Sequence, residues 1–233
     1  MKRLTERLSI TEGITALIGS GGKSTLLNQL GRELAECSRV LLTTTTKMYP
    51  SSWCPLYTRD SVEEAATYFS ASSAVTVGSL TEEGKLKAPS IPFSLLSSLA
   101  PYIIAECDGS KRLPLKAHQS YEPVVPEGSH VISVVGLSGI GRPIRETVHR
   151  PELFSAIAGG SVNDTVTAAT VARVLLYEYA ADVRTRFDTL ILNQMETEED
   201  FKNARLIARA VTDTVPARVF YGNIAKGELE CSL

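Results

Sequence analysis

The chain has 233 residues, 43% of them hydrophobic, and a formal net charge of −2. That is enough apolar material for a domain with a real core, and too little positive charge for a nucleic-acid or anionic-membrane binder. No apolar run approaches the ~20 residues that span a bilayer, and the charged residues 2–7 have no apolar segment behind them, unlike a secretory leader.

Cys37, Cys54, Cys107 and Cys231 form no C-x-x-C pair, and His118, His130 and His149 have no metal-ligand spacing. The expectation is a cytoplasmic protein with reduced cysteines, and neither a disulfide scaffold nor a structural zinc site.

Apolar β-rich runs alternate with helical patterns along the chain. This is the signature of an α/β fold with a mostly parallel sheet and helices on both faces. Strands are predicted at about 13–18, 39–44, 74–78, 102–106, 130–135, 188–193 and 217–221, and helices at 23–36, 61–70, 164–179 and 198–212. A single domain, 1–233, is expected, with an inserted subdomain at about 49–100.

The first strand, with the apolar run Ile14-Thr15-Ala16-Leu17-Ile18, runs into Gly19-Ser20-Gly21-Gly22-Lys23-Ser24-Thr25 and then into an amphipathic helix. Strand, glycine turn, Lys-Ser and helix is the context of a phosphate-binding loop. Backbone N–H groups freed by the glycines point at a phosphate, and the helix dipole favours its charge. Lys23 would reach the β- and γ-phosphates, and the Ser24 hydroxyl would hold Mg²⁺. The spacing is two residues shorter than G-x-x-x-x-G-K-[ST], because position 17 is Leu.

The second strand ends in Thr43-Thr44-Thr45-Thr46-Lys47. Ligands in such sheets bind beyond the carboxyl ends of strands, so Thr46 and Lys47 are candidates for a phosphate or a Mg²⁺-bound water. From Tyr49 to Pro92 prolines break the alternation, and the polar turn Thr81-Glu82-Glu83-Gly84 between Leu80 and Leu86 predicts a small hairpin.

The strand Tyr102-Ile103-Ile104-Ala105-Glu106 leads into Cys107-Asp108-Gly109. An apolar strand ending in carboxylates is what a Walker-B site looks like: Asp108 and Glu106 could hold Mg²⁺ directly or through water, and orient a nucleophile. Just beyond, Lys111, Arg112 and Lys116 could clamp phosphates or an anionic substrate. Glycines with Pro143 and Pro151 predict irregular loops over 138–161. The strand at 188–193 closes on Asn193-Gln194-Met195-Glu196, which resembles the position of the N-K-x-D base-reading element of GTPases. Gln194 replaces its lysine and Glu196 its aspartate, so guanine preference is not indicated and Asn193 is a candidate adenine contact.

Two resemblances follow. The short G-x-x-G-K-S-T loop is similar to that of the Mur-type amide ligases, which activate a carboxylate with ATP. The whole succession G-S-G-G-K-S-T, T-T-T-T-K-M, E-C-D-G-S-K-R-L-P-L-K, E-P-V-V-P, V-V-G-x-x-G-I-G-R-P, H-R and L-N-Q resembles the YqeC family from about residue 10 to about 196. Cys107 and Ser110 depart from the family's E-A-D-G-A form.

That family is described as accessory to selenium-dependent molybdenum hydroxylases. The resemblance implies a P-loop NTPase-like protein with a nucleotide at Gly19–Thr25 and an acidic site at Glu106 and Asp108. It also brings Lys111, Arg112, Lys116, Glu122, His149 and Arg150 into consideration. The implied cofactors are Mg²⁺ and ATP, with GTP as the alternative, and the implied partner is a molybdenum hydroxylase or its cofactor. Two other functions stay open: a small-molecule kinase or Mur-like ligase, and a nucleotide-sensing module without turnover.

Overall fold

The computed structural model describes residues 2–232; Met1 and Leu233, the ends of the expected domain, lie outside the described residues. The chain packs as two compact units. The first runs to Leu17 and includes Ser24–Gly109 and Val124–His130; the second comprises Ile18–Lys23, Ser110–Pro123 and Val131 onward.

The first unit holds α1 (Leu4–Arg7), β1 (Gly13–Gly19, whose last two residues belong to the second unit) and α2 (Lys23–Ala35, from Ser24). They are followed by β2 (Val40–Thr44), β3 (Lys47–Met48), β4 (Leu56–Tyr57), α3 (Val62–Tyr68), β5 (Ala74–Val77), β6 (Ser79–Leu80), β7 (Leu86–Lys87), α4 (Phe93–Leu96) and β8 (Tyr102–Glu106). Strands β1, β8, β2, β5 and β4 pair side by side in that order, all parallel. Every residue of β2 and β5 is buried, as strands covered on both faces require. Leu41, Val75, Val77 and Ile103 from the sheet pack with Ala65, Phe69 and Leu96 from the helical segments.

The predicted hairpin is present: Leu80 pairs with Leu86 across the turn, and β3 extends it to a three-stranded antiparallel sheet. Ser61 caps α3, accepting from the Glu64 N–H.

The second unit holds β9 (Leu115–Lys116), β10 (His130–Gly136, from Val131), a 3₁₀ turn at Leu137–Gly139, α5 (Ile144–Thr147), β11 (Val148–His149) and α6 (Pro151–Ala158). Then come α7 (Ala168–Ala181), β12 (Thr189–Asn193), α8 (Glu198–Thr212), β13 (Arg218–Asn223), a 3₁₀ turn at Ile224–Lys226 and β14 (Glu228–Cys231). Strands β10, β12 and β13 are parallel, and β14 closes the edge antiparallel.

Helix α8 buries Ala204, Ile207, Ala208 and Val211, the face its periodicity predicts. Its core joins Phe154 and Val171 to Leu190, Leu192 and Val219.

All seven predicted strands and all four predicted helices are present. The differences lie in short elements and in one helix start. Residues 138–161, read as irregular loops, contain α6, a two-turn helix with Pro at its first position and Gly159 as a left-handed C-terminal cap. Helix α7 starts four residues later than predicted, because the Thr167–Thr170 capping box sets its first turn.

Candidate functional site

The glycine loop is built by the second unit. β1 ends on Gly19, whose φ of +89° is left-handed; a Cβ there would lie 2.3 Å from the Val134 carbonyl oxygen of β10. Only glycine lets the backbone turn this close to the neighbouring strand. The Ser20 N–H then donates to that same carbonyl at 2.7 Å. The chain next rises through Gly21 and Gly22 to Lys23, which opens α2. Lys23 is almost wholly buried, and its Nζ donates to the Gly19 carbonyl at 2.6 Å, so its stem lies over the loop.

Among the described residues, neither the Gly21 nor the Gly22 N–H donates to a protein acceptor. Two such donors at the start of a 13-residue helix are the chemistry that receives an anion. Asn193, at the end of β12, holds this loop from beneath. Its Nδ2 donates to the Gly21 carbonyl at 2.7 Å, and its Oδ1 accepts from the Ile224 N–H at 2.8 Å. The side chain expected at an adenine ring therefore also braces the loop.

In the first unit, the Ser24 hydroxyl donates to Glu106 Oε2 at 2.8 Å. The end of β8 is pinned twice more: the Thr44 hydroxyl and the Thr45 N–H both donate to the Glu106 carbonyl, at 2.7 and 3.0 Å. Asp108 lies two residues beyond the strand and is fully buried. Thr46 N–H donates to Thr44 Oγ1, while the Thr46 hydroxyl is buried without a hydrogen-bond partner. A hydroxyl on a buried carboxylate, with an unsatisfied threonine two residues past the same strand pair, is a donor set of the all-oxygen kind that suits Mg²⁺ and its waters. Thr25, beside Ser24 at the head of α2, is exposed.

Lys47 goes elsewhere. It opens β3, exposed, directly opposite Lys87 on β7. It helps to hold the Glu83 carboxyl below the usual carboxylate range, after the larger effect of Lys85.

The basic stretch divides in the second unit. Lys111 and Arg112 are exposed and both left-handed, with φ of +49° and +63°, a costly conformation for two successive non-glycine residues. Lys116 is instead buried, with its Nζ 3.1 Å from Glu122 Oε1. Arg150 pairs with the same carboxylate oxygen and stacks over the Tyr121 ring. His149 pairs across from Lys116 in the β9–β11 ladder. Lys116, Glu122 and Arg150 thus form a buried ionic cluster.

Sequence reasoning missed a second buried pair. His118 Nδ1 lies 2.8 Å from Glu178 Oε2, and the His118 N–H donates to Glu178 Oε1 at 2.6 Å. Both line a cavity of about 30 Å³, room for one or two waters, whose other walls include Gly19, Ser20, Lys116 and Phe187. A signal was available: Glu178 follows Val171 and Val174 on the buried stripe of α7, where a carboxylate needs a partner.

A curated relative, "Uncharacterized protein YqeC" of Escherichia coli (strain K12), is 31% identical over 178 residues, covering 72% of this chain and 69% of the relative. Among solved structures, the signal recognition particle 54 kDa protein from Aeropyrum pernix K1, in complex with GDP, aligns with 96% of this chain at 16% identity and a TM-score of 0.40; the chain spans 44% of its length. A family model described as YqeC protein matches residues 15–152, more than half of the chain. The chain belongs to the YqeC family.

Proposed function

We propose that this protein binds a Mg²⁺-nucleotide, ATP in the first instance and GTP as the alternative, through residues 19–25. In this reading it serves as an accessory factor in maturing a selenium-dependent molybdenum hydroxylase. The observation that carries the nucleotide part is the glycine loop itself: two N–H donors with no protein acceptor, followed at once by Lys23 and a hydroxyl held by Glu106. The accessory role rests on the family resemblance.

Each residue has a distinct task. Gly21 and Gly22 N–H groups receive phosphate oxygens. Lys23 exchanges the Gly19 carbonyl for the β- and γ-phosphates, a charge-assisted contact stronger than the one it leaves. Ser24, with Glu106 and Asp108 directly or through water, would hold Mg²⁺. Bound Mg²⁺ supplies charge neutralisation for the phosphates. Thr46 would orient a Mg²⁺-bound water. Any turnover then comes mainly from position and electrostatics.

Calorimetry with Mg-ATP and Mg-GTP tests this reading. Lys23→Ala should weaken nucleotide binding roughly tenfold or more. Equal affinity of the two proteins would sink the assignment.

A second reading, a small-molecule kinase or Mur-like ligase, is favoured by the exposed, left-handed Lys111 and Arg112, which suit an anionic acceptor. It requires phosphate release that depends on an acceptor. The accessory reading requires release that depends on a protein partner, and a sensing module shows no multiple turnover at all.

A further inference from the structure

The residue that follows Asn193 is the least expected part of the loop's surroundings. Gln194 is left-handed, with φ of +64°, a conformation that costs a side-chain-bearing residue energy and so needs a reason. Its amide oxygen accepts from the Ser138 hydroxyl at 2.6 Å. The same oxygen stands 2.3 Å from where a Cβ on Gly136 would be, so it covers the bare backbone of Gly136.

The phosphate loop meets Gly136 at the same place: that Cβ would also lie 3.0 Å from the Gly21 Cα. A Cβ on Gly21 would sit 2.5 Å from both the Cα and the N of Gly136, and 2.8 Å from the Pro114 carbonyl oxygen. The Gly136 N–H in turn donates to that carbonyl at 2.9 Å. The Gln194 amide oxygen, Gly136 and Gly21 therefore meet in one space too small for a further side chain. Anything that shifts the first must shift the last, because packed backbone has no slack to absorb it.

We infer that Gln194 is a positioning residue for the phosphate loop, acting where Gly136 meets Gly21, and that it does not read a base. Asn193 and Gln194 then hold one loop from two directions. Asn193 bonds the Gly21 carbonyl directly, and Gln194, anchored by Ser138, fills the space where Gly136 meets Gly21. The left-handed backbone at 194 is what sends two consecutive side chains of one strand end to these two places. This inference rests on the phosphate-loop reading above.

The discriminating probe is inorganic tripolyphosphate, which has phosphates and no base, measured by calorimetry beside Mg-ATP and Mg-GTP. Gln194→Ala should weaken all three by the same factor, roughly three- to tenfold. Ser138→Ala, at an exposed position that leaves the fold alone, should act in the same direction and more weakly. Exchange of the hydrogen-bonded Gly136 amide should quicken in both variants, with α7 and α8 unchanged.

A loss confined to ATP or to GTP, with tripolyphosphate unaffected, would make Gln194 a base reader and overturn the inference. So would unchanged affinity for all three, or faster exchange throughout the unit. If wild type and Lys23→Ala bind tripolyphosphate alike, the phosphate-loop reading itself has failed, a result separable from the others.

Discussion

Ser24 Oγ donates to Glu106 Oε2 across 82 positions of sequence, at 2.8 Å. A helix-start hydroxyl and a strand-end carboxylate are thereby held as one unit, and these two side chains would hold a metal together. Ser24→Ala and Glu106→Gln should each weaken nucleotide binding roughly tenfold in Mg²⁺ and hardly at all in EDTA. The double variant should lose no more than the worse single one, since the two act on one ion. Equal losses with and without Mg²⁺ would separate the pair from the metal.

Glycine at 19 is required for space as well as for conformation. Gly19→Ala combines a left-handed φ with a Cβ 2.3 Å from backbone, and should cost about 2 kcal/mol or more. Gly84, in the hairpin turn, has a φ of +71° and nothing within 4 Å of its Cβ position. Gly84→Ala should therefore cost only about 1 kcal/mol. Urea unfolding of the two variants compares them, and similar midpoints would refute the close-approach argument.

The parallel strands were readable because they are long and apolar throughout, as in Val40-Leu41-Leu42 and Leu190-Ile191-Leu192, and the strand–glycine turn–helix order at 13–35 because Lys-Ser after glycines has no packing motive. Helix α6 was legible in principle, from Pro151 and Gly159, yet the surrounding glycines read as loop. What sequence could not supply is the division of the basic stretch. Lys111, Arg112 and Lys116 look alike in a row, but Lys116 lies on a strand and must bury its charge against Glu122. Lys47 was misleading for a similar reason: its neighbour Thr46 stays near the strand end, while Lys47 itself starts a separate small sheet. The contact of Gly21 with Gly136 joins residues far apart in sequence, and no periodicity reports it.

The His118–Glu178 pair should be a stability element of the second unit. Glu178 accepts both the backbone and the ring nitrogen of His118 in a setting that excludes most water. Glu178→Ala removes both bonds and leaves a buried N–H and imidazole without their acceptor, at a cost of about 3 kcal/mol. Glu178→Gln retains one acceptor oxygen and should cost roughly half as much. Denaturant titration reads the difference; equal midpoints for the two variants would mean that packing of the stem, and not the paired groups, sets the cost.

The start of α8 makes the last prediction, one of pH. Burial pushes the Asp200 carboxyl up, but the N–H groups of Glu196 and Thr197 and the Thr197 hydroxyl outweigh it, and the net shift is downward. A carboxyl held lower in the folded than in the unfolded state adds stability above the unfolded value, about 3.9 for Asp. That contribution fades as pH falls through the folded value, when the protonated carboxyl ceases to accept two N–H groups at once. Asp200→Asn keeps a cap but not the charge, so it should cost about 0.5–1 kcal/mol at pH 7. The gap between wild type and variant should then close as pH is lowered from 5 toward 3. Parallel stability curves over that range would show that the carboxylate's charge contributes nothing to holding the helix start.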